Sequence, residues 1–342
     1  MTDTGPPGLD LARLRAHLDT RLPGLAAGPL RAEVVAGGRS NLTYVVTDGT
    51  DEWVLRRPPL GHVLPTAHDM SREYRVVSAL HPTAVPVPRT LLLGADEDVL
   101  GAPFYLMELV RGTPYRTEQE LSALGSERTR SIALDLIDTL VELHAVDPAA
   151  VGLADFGRPE GFLHRQLRRW KKQLDGSRSR DLPGIDRLHD RLAAAVPDSP
   201  APAIVHGDYR LDNVLVSGQD RITAVLDWEM STLGDPLTDL ALMVAYAQRE
   251  TLGLTFVANP SGAPGYPGVP EIVERYAERS GRDVSGLNWY VGLAFFKLAV
   301  ILEGIHYRYR EGQTVGAGFE QAGDGVFPLI DRGNEILGEG TG

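Results

Sequence analysis

The sequence predicts an α+β chain in two lobes: a small antiparallel-sheet N-lobe over residues 1–110 and a mainly helical C-lobe over 111–342. Three observations carry this reading. Short apolar runs broken by turn residues fill the stretch from Glu33 to Gly112, the pattern of strands joined by tight turns. From residue 115 onward apolar residues recur at helical spacing, as in Ile132, Leu136, Leu140 and Leu143. The exception is the stretch from Ile204 to Leu226, where short apolar runs return between polar turns.

Taken in order, residues 9–22 carry Leu11, Leu14, Leu18 and Leu22 at helical spacing, and Pro23-Gly24 ends that helix. Glu33 to Thr47 reads strand, tight turn, strand, with Gly37-Gly38-Arg39-Ser40-Asn41 as the turn. Two glycines and two small polar residues there let backbone N–H groups approach a phosphate; an ordinary hairpin turn fits equally. Trp53 to Arg57 forms a third strand, on which Val54 and Arg56 share a face and Leu55 points the other way. Asp69 to Leu80 is helical, with Met70, Tyr74 and Val77 in register and Glu73 mid-helix. Thr90 to Leu93 is a strand among prolines, and Phe104 to Val110 is a strand that leaves the sheet before Gly112. Helices follow at 128–144, 162–175 and 185–196, and another begins at Asp235-Pro236 with acids in its first turn. Asn259 to Pro270 is a Pro/Gly-rich loop, either a lid or a connector. Asn288 to Arg308 is a long apolar helix, with His306 and Tyr307 expected to be exposed at its end, and the tail beyond Gly338 is expected to be disordered.

Composition narrows the function. The chain is 43% hydrophobic and 23% charged, ordinary for a globular protein. Its net charge of −12 argues against broad binding to nucleic acid or anionic membranes. With no cysteine it has no disulfide, thiolate metal site or thiol nucleophile. The N-terminus lacks the regions of a signal peptide, and no uninterrupted apolar run reaches membrane length, so a cytoplasmic protein without nucleic-acid or membrane partners is expected.

The chemistry concentrates at His206-Gly207-Asp208, with Asn213 five residues after the Asp and Asp227 ending the next strand but one. A carboxylate, an amide and a second carboxylate at strand ends suit phosphoryl transfer. Asp208 is the candidate base for an attacking hydroxyl; Asn213 and Asp227 are candidate oxygen ligands for Mg2+ on the phosphates of ATP. Two other classes stay open. A metallophosphoesterase could use Gly207-Asp208 and Asp212-Asn213, but would need a His-rich set that the sequence does not show. A nucleotide-binding protein without turnover is the other.

With these parts in place, the sequence resembles the aminoglycoside phosphotransferase and choline kinase superfamily over about residues 30–310. The carriers are His206-Gly207-Asp208 to Asn213, Leu226-Asp227-Trp228-Glu229 and Gly234-Asp235-Pro236 with Asp239. Within it, Gly38 to Tyr44, Leu55-Arg56-Arg57-Pro58-Pro59 and Arg72-Glu73-Tyr74 are similar to the kinase-like domains fused to acyl-CoA dehydrogenases and to their stand-alone bacterial relatives. The resemblance implies a two-lobed protein-kinase-like fold, and an ATP- and Mg2+-dependent transfer to a hydroxyl of a small molecule. A hydroxyacyl-CoA is the nearer acceptor; an aminoglycoside or choline-type compound is the alternative.

It implies nucleotide contacts from Ser40, Asn41, Met107, Glu108 and Val110, the last two through their backbone, and an ion pair between Arg56 and Glu73. Kinases normally carry Lys where this chain has Arg56, and that departure favours binding without turnover. Asp235 is a candidate brace of the catalytic loop, with helix capping as the alternative. Acceptor contacts are expected from Arg165, Arg168 and Arg169 on the basic helix, whose alternative is a solvated face.

Overall fold

A computed structural model of the chain describes residues 5–35, 41–60, 69–199, 201–248, 252, 259–313 and 321–338. The chain divides into two units. Unit 1 is Met1–Thr113 with Thr223–Ser231, and unit 2 is Pro114–Ile222 with Thr232–Gly342. The division therefore falls three residues later than the sequence suggests, and 223–231 sorts with the first unit. Hydrogen bonds explain this second difference: Val225 N–H donates to the Pro86 carbonyl at 2.7 Å, and Arg72 donates to the Ser231 carbonyl at 3.1 Å.

Unit 1 is built on five antiparallel strands: β1 Arg31–Val34, β2 Leu42–Thr47, β3 Glu52–Arg57, β4 Thr90–Gly94 and β5 Phe104–Glu108, in the order β1-β2-β3-β5-β4. Strand alternation sorts their side chains. Tyr44, Val46, Trp53, Leu55, Phe104 and Leu106 form one core with Leu14 and Leu18 of α1, Leu11–Arg21. Val54, Tyr105 and Met107 lie on the opposite face with Met70 of α2, Met70–Leu80. Asp69 caps α2 by accepting from the N–H groups of Ser71 and Arg72, and burial of Met70, Glu73, Val76, Val77 and Leu80 lays one stripe on the sheet. Arg56 pairs across the sheet with Thr43 and Tyr105, so it faces α2, as the alternation predicts. A short helix, α3 Glu97–Leu100, links β4 to β5. Strand β8, Ile222–Val225, enters this unit at Thr223.

Unit 2 is mainly helical. It contains α4 Glu118–Ser122, α5 Ser126–Ala145, α6 Phe162–Ser177, α7 Ile185–Ala194, α8 Leu237–Gln248, α9 Val269–Ser280, α10 Leu287–Arg310 and α11 Val326–Gly338. The sequence reading leaves α9 and α11 unassigned. Strands β6, Ala203–Val205, and β9, Thr232–Gly234, pair antiparallel; β7 spans Val214–Val216. Gly234 is required at its place, because a Cβ there would lie 2.6 Å from the Phe162 ring. By length and composition α10 is apolar enough to cross a membrane, but 78% of its most apolar window is buried inside the protein. It packs against α6, α7, α8 and α11 and is a core helix here. His306 and Tyr307, expected to be exposed, are half-buried.

Candidate active site

In unit 1 the alternation of β3 brings Arg56 to Glu73. One guanidinium nitrogen, Nη2, lies 3.3 Å from Glu73 Oε1 and 3.1 Å from Asp227 Oδ1. The Arg56 and Glu73 side chains are 10% and 1% exposed. Burial pushes the Glu73 carboxyl above its usual range while Arg56 pulls it back. Burial also works against the charge on Arg56, but Glu73, Tyr105 and Asp227 outweigh it and hold the guanidinium protonated. Tyr105 hydrogen-bonds to Glu73, and its phenol is pushed well above the ordinary range, first by burial and then by that carboxylate. Arg56 Nε and Glu73 Oε2 are buried without a protein partner.

Asp227 stands in the left-handed region, φ 65° and ψ 61°, one of two non-glycine residues with positive φ among the described residues. Such a conformation costs about 1–2 kcal/mol and persists where the surroundings impose it. Here Arg56 donates to Asp227 Oδ1 and not to Oδ2. Asn41 is 3% exposed and its Nδ2 donates to Glu229 Oε2 at 3.2 Å. Met107 is buried beside Val54. Glu108 is more committed than the sequence suggests: its N–H donates to the Arg89 carbonyl at 2.9 Å, and its carboxylate accepts from the Arg89 N–H at 2.8 Å. That N–H cannot serve a nucleotide. Val110 is half-buried beyond the strand end. Ser40 lies outside the described residues, as do Gly37, Gly38 and Arg39.

In unit 2, β6 ends at Val205, His206 follows it, and Gly207 turns the chain at φ 85°. Asp239 of α8 grips the turn by accepting from the N–H groups of His206 at 2.7 Å and Gly207 at 2.8 Å. His144 Nε2 lies 3.3 Å from the same carboxylate and its other ring nitrogen 2.8 Å from the Tyr276 hydroxyl. Burial alone would raise the Asp239 carboxyl, yet the His144 and His206 bonds hold it below its usual range. Burial pushes His144 down. Asp235, a candidate brace of this loop, instead caps α8 through the Leu237 N–H and accepts from the hydroxyls of Ser199 and Tyr290. Asp239 is the brace.

The half-buried Asp208 carboxylate is fixed at both oxygens: the Tyr246 hydroxyl donates to Oδ1 at 3.1 Å, and Asn213 Nδ2 donates to Oδ2 at 3.1 Å. Asn213 Nδ2 also donates to the Asp208 carbonyl at 2.9 Å. The amide nitrogen is thus spent on Asp208, and the amide oxygen is the end that can meet a cation. Lys297 of α10 donates to the Gly207 carbonyl at 2.8 Å. The Arg210 guanidinium pairs with Asp212 and stacks on Tyr246, 4.7 Å from the ring centre.

On α6 the basic patch is smaller than its sequence. Arg165 turns back to the carbonyls of Arg158 and Glu160, and Lys171 pairs with Asp175. Arg178 pairs with Asp186, and Arg180 with Glu303. Arg168, Arg169 and Lys172 remain exposed. The 259–270 loop is tied down at its start, where Asn259 Nδ2 donates to the Tyr246 carbonyl at 3.1 Å.

Tyr105, Tyr246, Asp239 in its bracing role and Lys297 were missed as site residues. Only Lys297 left a local signal, as the one charged residue between Leu287 and Leu302.

Comparison with known proteins gives the family and the fold. The model of the family described as "Phosphotransferase enzyme family" matches residues 31–280. Acyl-CoA dehydrogenase family member 11 of Gallus gallus is 35% identical over 338 residues, covering 96% of this chain and 43% of that protein. The chain thus spans less than half the length of that relative. A crystal structure from Ralstonia eutropha JMP134, of a protein described as a candidate aminoglycoside phosphotransferase, is 33% identical with a TM-score of 0.83 over 96% of this chain and 98% of that one. The ternary complex of aminoglycoside phosphotransferase APH(4)-Ia with AMP-PNP and hygromycin B covers 96% of this chain and 99% of that one. At a TM-score of 0.62 and 16% identity, it shares the kinase-like fold alone. With the family model covering most of the sequence, this chain belongs to the phosphotransferase enzyme family.

Proposed function

We propose that this chain transfers the terminal phosphoryl group of ATP to a hydroxyl of a small molecule, and that the acceptor is a hydroxyacyl thioester of coenzyme A. The observation that carries the transfer is the Asp208 carboxylate, held at both oxygens by Tyr246 and Asn213 while staying half-buried. So fixed, it can take the proton as the acceptor oxygen bonds to phosphorus and the bond to ADP breaks.

The nucleotide fits residues of unit 1. Arg56 keeps a buried Nε without a partner, and buried donors are otherwise nearly always paired. A phosphate oxygen is a suitable acceptor for it. Mg2+ fits the donor set as well. In unit 1 Asp227 offers the oxygen that Arg56 leaves, and in unit 2 Asn213 offers its amide oxygen; each by itself is a hard ligand of the kind Mg2+ takes. Among the described residues no three His, Asp or Glu side chains form a metal cluster, so the remaining ligands would come from phosphate and water. When bound, the ion would neutralise charge on the phosphates.

Two observations support an acyl-CoA acceptor. The similar animal protein is named as an acyl-CoA dehydrogenase. Arg168, Arg169 and Lys172 give α6 an exposed basic face on a chain of net charge −12, which suits an anionic acceptor and repels a polycation. The aminoglycoside description of the Ralstonia protein supports the second reading, an aminoglycoside acceptor. ATP consumption with hydroxyacyl-CoA thioesters, aminoglycosides and choline in parallel, at low and high salt, decides between them. Turnover of a hydroxyacyl-CoA that weakens with salt and on Arg168→Glu with Arg169→Glu is expected. Turnover of an aminoglycoside alone, untouched by those changes, overturns the acyl-CoA reading.

A further inference from the structure

Three backbone groups of the His206-Gly207-Asp208 turn are held by side chains of α8 and α10. Two, the N–H groups of His206 and Gly207, are taken by Asp239. The third, the Gly207 carbonyl, is taken by the Lys297 ammonium at 2.8 Å. A lysine in the middle of a core helix needs a reason. Lys297 follows Phe295 and Phe296, both fully buried, and precedes Leu298, Ala299 and Val300, all buried. An apolar residue would suit the packing of α10 without desolvating a charge.

We propose that Lys297 is a positioning residue of the catalytic turn, clamping the Gly207 carbonyl from α10 while Asp239 clamps the adjoining N–H groups from α8, so that the Asp208 carboxylate is held in line for the acceptor hydroxyl. This rests on the reading of Asp208 as the base. Gly207 explains the geometry. Its positive φ turns the peptide between the two clamps, and a side chain at that position would resist the conformation. Trp170 of α6 supports the clamp from another side, with the Lys297 ammonium 5.5 Å from its ring centre, within cation–π reach.

The charge matters as well as the bond. Asp208 on the turn and Asp239 on α8 favour the ammonium, while Arg169 on α6 opposes it. The helices α7 and α11, which also pack on α10, contribute no group to this set. Burial outweighs the two acids and moves Lys297 below the usual lysine range. The clamp therefore fails at lower pH than an exposed lysine would.

The test compares Lys297→Met, which keeps length but removes donor and charge, with Lys297→Arg, which keeps both, in the full chain. The first measurement is ATP·Mg2+ turnover with water as phosphoryl acceptor. A small displacement of a reacting group costs on the order of 10²-fold in rate, so Lys297→Met is expected to lower kcat by about that factor with KM for ATP within about twofold. Lys297→Arg is expected to restore most of the rate and to carry it to higher pH, since arginine does not deprotonate. A merely structural lysine would give neither the split between kcat and KM nor the alkaline extension.

The second measurement, hydrogen exchange over residues 204–213, needs no turnover. Faster exchange there in Lys297→Met than in Lys297→Arg, with exchange in α2 unchanged, is expected. Equal exchange in the two variants and wild type overturns the clamp, as does an unchanged kcat in Lys297→Met. Absence of turnover in the wild-type chain counts against the phosphotransferase reading, and the exchange result then decides on the clamp by itself.

Discussion

Replacing Arg56 by Met tests the buried ion pair directly. The substitution keeps an unbranched chain on β3 but removes the charge that faces Glu73, 1% exposed, and Asp227. Removing one partner of a buried pair costs about 3–5 kcal/mol, because the other charge is left buried and unpaired. At about 2–4 °C per kcal/mol for a chain of this class, the melting temperature at pH 8 is expected to fall by roughly 6–20 °C. The pH dependence separates this cause from lost packing. Glu73 is already raised above its ordinary value by burial, and loss of Arg56 raises it further. A carboxyl raised in the folded state stabilises at low pH, and that contribution is lost as pH rises through its folded value. The deficit of Arg56→Met should therefore be small near pH 5 and grow towards pH 8. Glu73→Gln in the same background should recover much of it, because the amide carries no charge to strand. Differential scanning fluorimetry of the two single variants and the double variant from pH 5 to 8 gives the whole cycle. A deficit that is constant with pH, or a double variant as unstable as Arg56→Met, would refute the reasoning.

Asp227→Ala should abolish the Mg2+-dependent part of the rise in melting temperature with ATP, since a ligand of the folded state stabilises by mass action; an unchanged rise removes Asp227 from the metal site. Asp208→Asn should leave ATP affinity nearly intact and lower kcat by about 10²–10⁴-fold, and wild-type turnover in that variant excludes it as the base. His144 is held neutral by burial, so its folded value lies below its unfolded one. Its contribution is present above the unfolded value and lost as pH falls. Stability should thus decline from about pH 6.5 downward. His144→Gln should flatten that limb, and an identical acid limb in the variant would show that other groups cause it.

What the sequence made legible follows the range of each contact. Strand alternation put Arg56 on one face of β3 with Val54, but helical spacing gave Met70, Tyr74 and Val77 as the register of α2, and only the resemblance to kinases named Glu73 as the partner of Arg56. Asp208 and Asn213 are five residues apart, and that spacing marked both as site residues, while the bond from the Asn213 amide nitrogen to Asp208 came only from the structure. Tyr246 reaches Asp208 from 38 residues away and Lys297 reaches Gly207 from 90, and no local pattern records either. The acids of α8 were visible, but which one braces the turn was not. Asp235 and Asp239 are one helical turn apart, and only the placement of β6 shows that Asp239 faces the His206 and Gly207 amides. The basic run on α6 misled in the other direction, because composition counts Arg165 and Lys171 as free charge while local carbonyls and Asp175 take them.

The Arg at position 56 was the sequence feature that favoured a nucleotide binder without turnover. Its geometry fits a phosphate-binding role, which both readings share. A lysine in the same desolvated place would be pushed towards neutrality, whereas a guanidinium keeps its charge. The side chain uses a single nitrogen, Nη2, for both Glu73 and Asp227. It thereby braces the carboxylate of Asp227, whose backbone is left-handed, while leaving it a second oxygen. A residue whose only task was to fill a buried position would not need a permanent charge, and it would not leave a buried Nε without a partner. The charge, the braced acid and the unspent donor all make sense together when phosphate oxygens are what the site receives.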